Sequence, residues 1–235
     1  LNIGLKDIIK NDKKRSEHIF LKQIYGISIT ELTGLISRRS IYYSKNVLGK
    51  NSICDKFPNK DGNIYYKETP HSWNKKDECK HCGAKRIGYD RSKENENYAY
   101  PFLHDENLFK NMKFDVIIGN PPYVANSLIL GDTKQLLKKY ETWSEKTNLF
   151  VLFMEKCLNH LGDGGELIFI VPSVFFQATS ALKLNQRMHR EGSITHFVDF
   201  GDTSPFAGAA PEGGTCIFRY VKKSSVGEVK YYELQ

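Results

Sequence analysis

Residues 112–127 read MKFDVIIGNPPYVANS, a run of strand-forming residues that ends on an asparagine, two prolines and a tyrosine. Its apolar centre, 114–119, has the length and continuous hydrophobicity of a buried strand in an α/β sheet. Pro121 and Pro122 fix φ and carry no N–H, so the turn presents carbonyl and side-chain acceptors without competing backbone donors. In open α/β sheets ligands sit beyond the carboxyl ends of strands, which is where Asn120, Pro121, Pro122 and Tyr123 fall. Such a cradle suits an exocyclic aromatic amine, whose lone pair is delocalised into its ring and therefore attacks poorly. If the Asn120 side-chain oxygen and the Pro121 carbonyl each accept one N–H, the nitrogen is drawn toward a tetrahedral form able to attack an electrophilic methyl. Tyr123 would then cover the face of a base removed from its helix.

Downstream of this stretch the pattern stays α/β. Residues EKTNLFVLFMEKCLNHL predict a helix with Leu149, Leu152, Phe153 and Leu161 on one side, GDGG turns into the strand ELIFIVP, and a second helix spans about 178–190. The strand THFVDFG, a Gly-rich loop and the strands TCIFRYV and VKYYEL complete the region. Upstream, FLKQIYGISI predicts a strand and TELTGLISRRSIYYSK a helix with Leu32, Leu35 and Ile36 at helical spacing. Between them, 49–105 is polar and carries little periodicity, too long for a plain loop, and reads as an insertion. The expected organisation is therefore a helix–strand–helix portion at 1–48, the insertion at 49–105 and the main α/β portion at 106–235.

With 235 residues, 40% hydrophobic and 26% charged, the chain can bury a sizeable core. No apolar run approaches the ~20 residues that cross a bilayer, and the first residues lack a signal peptide's apolar centre, so a cytoplasmic location is expected. The formal charge of +7 and the pI near 9.0 favour a polyanionic partner. Five cysteines, an odd number, fit a reducing compartment better than a disulfide framework. Cys157 and Cys216 fall among apolar residues and read as small buried hydrophobes.

The insertion holds Cys54, His71, Cys79 and Cys82, spaced C-x16-H-x7-C-x2-C. The CKHC turn can aim two thiolates at one point, and zinc takes four such ligands in a tetrahedron. His81 competes with His71 for the fourth place, but it lies inside the turn, where its side chain is expected to point away from the shared point, and His71 is preferred. A structural zinc would order a polar segment that has few apolar anchors of its own.

NPPY after a strand, followed by NLFVLFMEKCLNHLGDGGELIFIVPSVFF, resembles the N6-adenine DNA methyltransferases of restriction-modification systems, the group with Eco57I-like and TaqI-like catalytic domains. The likeness covers roughly 20–48 and 112–221. It implies a Rossmann-like S-adenosylmethionine-dependent methyltransferase sheet, incomplete at the N-terminus and carrying a small zinc-ribbon-like insertion. The implied reaction is direct methyl transfer to N6 of a flipped adenine in double-stranded DNA. By this resemblance Asn120, Pro121 and Tyr123 hold the adenine, and Phe206, in the Gly-rich loop, covers its other face. Ser28, Asp105, Asn120, Asn148 and Phe150 are the implied contacts of the cofactor, with His104 an alternative to Asp105. The family's Gly-rich cofactor loop and its acidic residue after the second strand have no counterpart here; Ser28 stands at the acidic position, and Glu31 lies one helical turn on. The resemblance therefore also implies an upstream cofactor-loop segment and a downstream target-recognition domain. Two other readings stay open: methylation of a different amine or amide, on protein glutamine or RNA guanine, and an inactive zinc-stabilised DNA-binding remnant.

Overall fold

The computed structural model describes residues 2–67, 72–78, 86, 100–123, 132–201, 203, 205, 214–225 and 227–233. They belong to two compact units, Leu1–His71 with Arg86–Tyr100, and Ser72–Lys85 with Pro101–Gln235.

In the first unit, helix α1 (Asn2–Leu5) precedes α2 (Asp12–Lys22), which is capped by the Asn11 side chain accepting from the Lys14 amide at 3.0 Å. Strand β1 (Gly26–Ile27) pairs in parallel with β2 (Ile64–Tyr65), and α3 (Glu31–Tyr42) lies between them in sequence. Thr30 and Thr33 cap α3 reciprocally, satisfying amides that a helix start leaves unpaired. The core is Tyr42, Val47, Cys54, Phe57 and Ile64, with the Tyr42 ring edge-on to Phe57 at 5.1 Å and to Phe20 at 5.8 Å. Packing thus runs across position 48/49, where the sequence reading divides the chain. Gly62 has φ 62, and any side chain there would press on the Tyr42 ring at 3.1 Å.

Helix α3 departs from expectation. Its buried face is Gly34, Arg38 and Tyr42, whereas Leu32 and Ile36, placed by their spacing on a packed stripe, are 58% and 55% exposed. The large Tyr42 ring claims the inside, and the buried Arg38 is held there by Asp61 at 2.6 Å.

The second unit contains α4 (Tyr100–His104), β3 (Phe114–Gly119), α5 (Asp132–Leu137), α6 (Leu149–His160), β4 (Leu161–Pro172), α7 (Leu182–Glu191), β5 (Gly192–Asp199), β6 (Thr215–Lys222) and β7 (Lys230–Glu233). The strands form one mixed sheet in the order β3-β4-β6-β5-β7. β3 and β4 are parallel, as a helical crossover requires, while β6 runs antiparallel between β4 and β5. Leu167, Phe169 and Val171 of β4 point to the face covered by α6, whose Leu149, Phe150, Leu152, Met154 and Leu158 are buried. The GDGG turn is looped out of the β3–β4 ladder: Phe114 pairs with Leu161 but Val116 with Glu166, and Gly164 takes φ 73.

Strand β3 is less buried than its composition suggests. Among the described residues it forms the sheet's edge, with Val116 50% and Ile118 74% exposed. The second predicted helix, about 178–190, is also shorter, because 179–181 form a separate 3₁₀ turn before α7. Cys157 and Cys216 are buried free thiols, as their apolar surroundings imply.

Candidate functional site

Strand β3 delivers Asn120 to Tyr123 beyond its carboxyl end. Gly119 lets the strand close on β4 there, since an added Cβ would stand 3.0 Å from the Phe169 ring. Asn120 is exposed, Pro121 is buried, and Pro122 and Tyr123 are half-buried. This anchors the turn through a proline while its amide side chain faces outward. Tyr123 is fixed at both ends of its ring: the hydroxyl donates to the Ile170 carbonyl of β4 at 2.8 Å, and the ring stands edge-on to Phe150 at 6.2 Å. Burial, reinforced by Cys216, pushes the phenol up to about 12, so it remains a neutral donor at physiological pH.

An apolar platform lies behind Tyr123. Phe150 packs edge-on against Phe175 at 5.9 Å, and Phe175 meets Phe176 at 3.8 Å and Phe218 at 5.9 Å. Phe150 is 3% exposed, so its ring is committed to this packing. Asn148 precedes it as the N-cap of α6, with extended backbone and no hydrogen bond from its side chain to the helix end. Its amide group is therefore not consumed by capping.

Asp105 lies in the connection from α4 toward β3. Its Oδ1 accepts from the Asn107 amide at 2.9 Å, and its carbonyl accepts from the Lys156 ammonium at 3.0 Å. Lys156 also sits 5.1 Å from the centre of the Phe102 ring. Burial first, then repulsion from Lys139, lowers its pKa to about 8. The alternative, His104, is half-buried at the end of α4.

Ser28 closes β1 in the other unit, where its amide donates to the Tyr65 carbonyl at 3.0 Å and its hydroxyl reaches the same oxygen at 3.4 Å. Phe206 lies outside the described residues, but both ends of its loop are described. The Phe200 amide donates to the Thr215 carbonyl at 3.0 Å, and the Gly201 amide to Asp199 at 3.1 Å. Ser173 donates its amide to the Gly214 carbonyl at 3.2 Å, and Gly214 takes φ 77 with no room for a side chain against the Gly201 carbonyl.

Of the four proposed zinc ligands, His71, Cys79 and Cys82 lie outside the described residues, as does His81. Cys54 is 2% exposed within the apolar core of its unit, and burial raises its thiol pKa. Among the described residues no three His, Cys, Asp or Glu side chains gather as a metal site.

Two features of the site escape sequence reading. One is the Tyr123 hydroxyl anchor. The other is Glu155, a buried carboxylate on α6 that accepts from the Glu141 amide at 2.9 Å, the Thr142 amide at 2.8 Å and the Thr142 hydroxyl at 2.6 Å. It holds the segment leading into Asn148. Its only sequence signal is a lone Glu inside the apolar run LFVLFMEKC.

A mixed α/β sheet with a proline-stiffened turn and an aromatic platform beyond its strand ends defines an α/β protein of the crossover type. The sequence profile of the Eco57I restriction-modification methylase family matches residues 22–206, and the chain belongs to that family. It is 37% identical over 145 residues to an uncharacterized adenine-specific methylase of Mycoplasma pneumoniae, covering 52% of this chain and 34% of that protein. It is 30% identical over 138 residues to the type II methyltransferase M.HincII of Haemophilus influenzae, covering 56% and 27%. The matched part is thus about a third or less of these relatives' length. Among solved structures, the ATP-dependent Type ISP restriction-modification enzyme LlaBIII bound to DNA aligns with a TM-score of 0.53, 17% identity, 99% of this chain and 16% of that one. A nuclease-deletion mutant of the Type ISP enzyme LlaGI with a DNA substrate mimic gives 0.51, 17%, 98% and 20%. At such identities the likeness concerns the fold.

Proposed function

We propose that this chain carries the catalytic face of an S-adenosylmethionine-dependent methyltransferase that modifies N6 of an adenine flipped out of duplex DNA. The observation that carries the reading is the NPPY turn: an exposed amide, two residues without N–H groups and a rigidly anchored tyrosine, placed together at the carboxyl end of β3. Family membership supports the reaction class. The excess of Lys and Arg favours a nucleic-acid substrate, and no helix among the described residues is long and apolar enough to cross a membrane.

In this reading Asn120 and the Pro121 carbonyl accept the two N–H groups of the adenine amine and stabilise the positive charge that develops on nitrogen during transfer. Tyr123 offers a ring face already immobilised by Ile170 and Phe150, so little conformational freedom is lost when the base stacks. Phe206 covers the opposite face of the base. Bound S-adenosylmethionine supplies an electrophilic methyl group. The residues present fit its amine and hydroxyl groups in part: Asp105 keeps one carboxylate oxygen beyond its turn, and Asn148 keeps its amide. Phe150 serves by packing under Tyr123 and not by direct contact with the cofactor.

The test is Asn120→Ala in the whole enzyme, with methyl transfer followed by mass spectrometry of digested DNA. Transfer should fall ~10²–10³-fold, the usual cost of a lost charge-stabilising hydrogen bond, while S-adenosylmethionine binding changes little. An unchanged rate would remove the acceptor role from Asn120. Product on protein glutamine or RNA guanine, and none on DNA adenine, would keep the fold and the reaction and replace the substrate.

A further inference from the structure

The positive charge of the chain is unevenly placed. Residues 1–67 hold 13 Lys or Arg against six Asp or Glu, whereas 68–235 hold 21 of each, so the whole excess of +7 lies before residue 68, within the first unit. Such a field draws a polyanion to the body that carries it. Two of the six carboxylates are already engaged there: Asp61 is held at 2.6 Å by the buried Arg38, and Asp55 faces Lys56 at 3.7 Å. Arg39, Lys45, Lys50 and Lys60 are exposed and meet no carboxylate among the described residues.

The fold gathers these four cations. The Arg38 guanidinium donates both to Asp61 and, at 3.3 Å, to the Lys45 carbonyl, and the Val47 amide donates to the Lys60 carbonyl at 2.9 Å. Lys45 and Lys60 therefore stand on adjoining stretches, pinned from inside by the wholly buried Val47. The Ile53 amide donates to the Tyr42 carbonyl at 3.1 Å, which folds the stretch holding Lys50 back onto the end of α3, whose last turn carries Arg39. Arg38 serves the inside of this end, and its neighbour Arg39 is left to solvent. Among the cations the loop also shows Tyr43, 69% exposed where φ 58 ends the helix, with Leu48 49% and Ile53 46% exposed. Cations bind phosphate oxygens and an aromatic or aliphatic side chain can lie against a sugar, so a fixed loop that mixes the two matches a sugar–phosphate backbone.

We propose that the end of α3 and the loop that follows it form a contact surface for the phosphate backbone of duplex DNA, with Arg39, Lys45, Lys50 and Lys60 on phosphates and Tyr43 against the sugars. The inference rests on duplex DNA as the substrate of the proposed function, and not on the chemistry of methyl transfer. The larger unit supplies its control: Arg190 and Lys223 are as exposed, but Glu191 and Asp163 engage them at 3.4 and 2.6 Å. A cation already paired with a carboxylate has less to gain from a phosphate.

Fluorescence anisotropy of a short labelled duplex with the whole enzyme, without cofactor and from about 50 to 200 mM salt, tests it, because each phosphate contact adds about 0.9 to the slope of log affinity against log salt. The Arg39→Gln/Lys45→Gln/Lys50→Gln/Lys60→Gln variant should make that slope shallower by about two to four and weaken binding at least roughly tenfold at the low-salt end. Tyr43→Ala should weaken binding and leave the slope unchanged. Arg190→Gln/Lys223→Gln should alter the slope by less than about one. All of these side chains are exposed, so the fold should be kept; were the fourfold variant to unfold, its four single variants, each expected to remove about 0.9, carry the same test. A slope indifferent to the four replacements, or lost equally in the control, would overturn the surface. Tighter binding of an RNA duplex of the same sequence would overturn it in favour of RNA. No methyl is transferred in this assay, so an enzyme that methylates adenine while its slope ignores these residues loses only the surface, and one that binds through them without methylating loses only the reaction.

Discussion

The two ends of the larger sheet solve different problems with the same topology. At the end where β3 and β4 finish, Tyr123, Phe150, Phe175 and Phe218 build an apolar platform in which the Tyr123 hydroxyl has a single anchor. At the other end, cations rest on backbone carbonyls: Lys113 donates to the Asn159 carbonyl at 2.6 Å, and Lys222 to those of Leu158 and Leu161 at 3.1 Å each. The cause is the crossover geometry. Helix α6 returns antiparallel to its strands, so its unpaired C-terminal carbonyls gather where β4 begins and attract positive charge, while its N-terminus opens toward the tyrosine end. Segregation of charge along the strand direction thus follows from chain connectivity, and it leaves one end aromatic and the other basic.

The contrast can be broken by substitution. The largest expected effect on stability is Phe175→Ala at the aromatic end, which removes a ring with 1% exposure touching three other aromatic residues. It should cost ~3–5 kcal/mol in urea unfolding, whereas Val174→Ala, at a half-exposed neighbour, should stay within about 0.5 kcal/mol. Equal losses would mean that the platform is not a packed core.

A lysine away from the basic end sharpens the comparison through pH. Lys156 titrates near about 8 in the folded protein but near 10.5 when unfolded, because burial and Lys139 disfavour its charge. Between those values the unfolded chain binds more protons, so this lysine makes stability rise with pH across that window. Lys156→Met should flatten the rise of the thermal midpoint there. Lys222→Met should flatten it less, since the Lys222 charge is supported by two carbonyls and by Glu191. A steeper profile in Lys156→Met would contradict the assignment.

The smallest expected effect compares two tyrosines. Tyr123→Phe loses the bond to Ile170 and should destabilise by ~0.5–1.5 kcal/mol, but Tyr220→Phe should be neutral or stabilising because its hydroxyl has no partner among the described residues. Differential scanning calorimetry of the two variants decides between them; the reverse order would refute both assignments.

Much of the second unit is legible in local patterns. The strand at 114–119, the proline-stiffened turn after it, the helix through Leu149–His160 and the 166–172 part of β4 all announce themselves by period and by breaker residues, whereas the start of β4 at Leu161, read as the end of the helix, does not. Apolar neighbours likewise mark Cys157 and Cys216 as buried thiols. Exposure of Val116 and Ile118 is not legible, because a continuous apolar run says that a strand belongs in a sheet and not whether it stands at the edge. Helix α3 misleads for a related reason: Leu32 and Ile36 satisfy helical spacing, yet Tyr42 and the Arg38–Asp61 pair occupy the inside. Cys54 sits at ligand-like spacing in the sequence and in an apolar cluster in the fold.

From the sequence by itself come the chemistry of the Asn120–Tyr123 turn, its place after a strand and the positive balance of the chain, since residue type, period and charge are local properties. Tertiary structure alone decided that β6 inserts antiparallel between β4 and β5, that the Tyr123 hydroxyl meets the Ile170 carbonyl 47 residues away, and that Glu155 reaches back to Thr142. It also left the Tyr220 hydroxyl, packed against Gly192, without a hydrogen-bond partner among the described residues. These depend on which distant groups share a small volume once apolar surface is buried, and the free energy of that choice is a sum over the whole core that no short window of sequence contains.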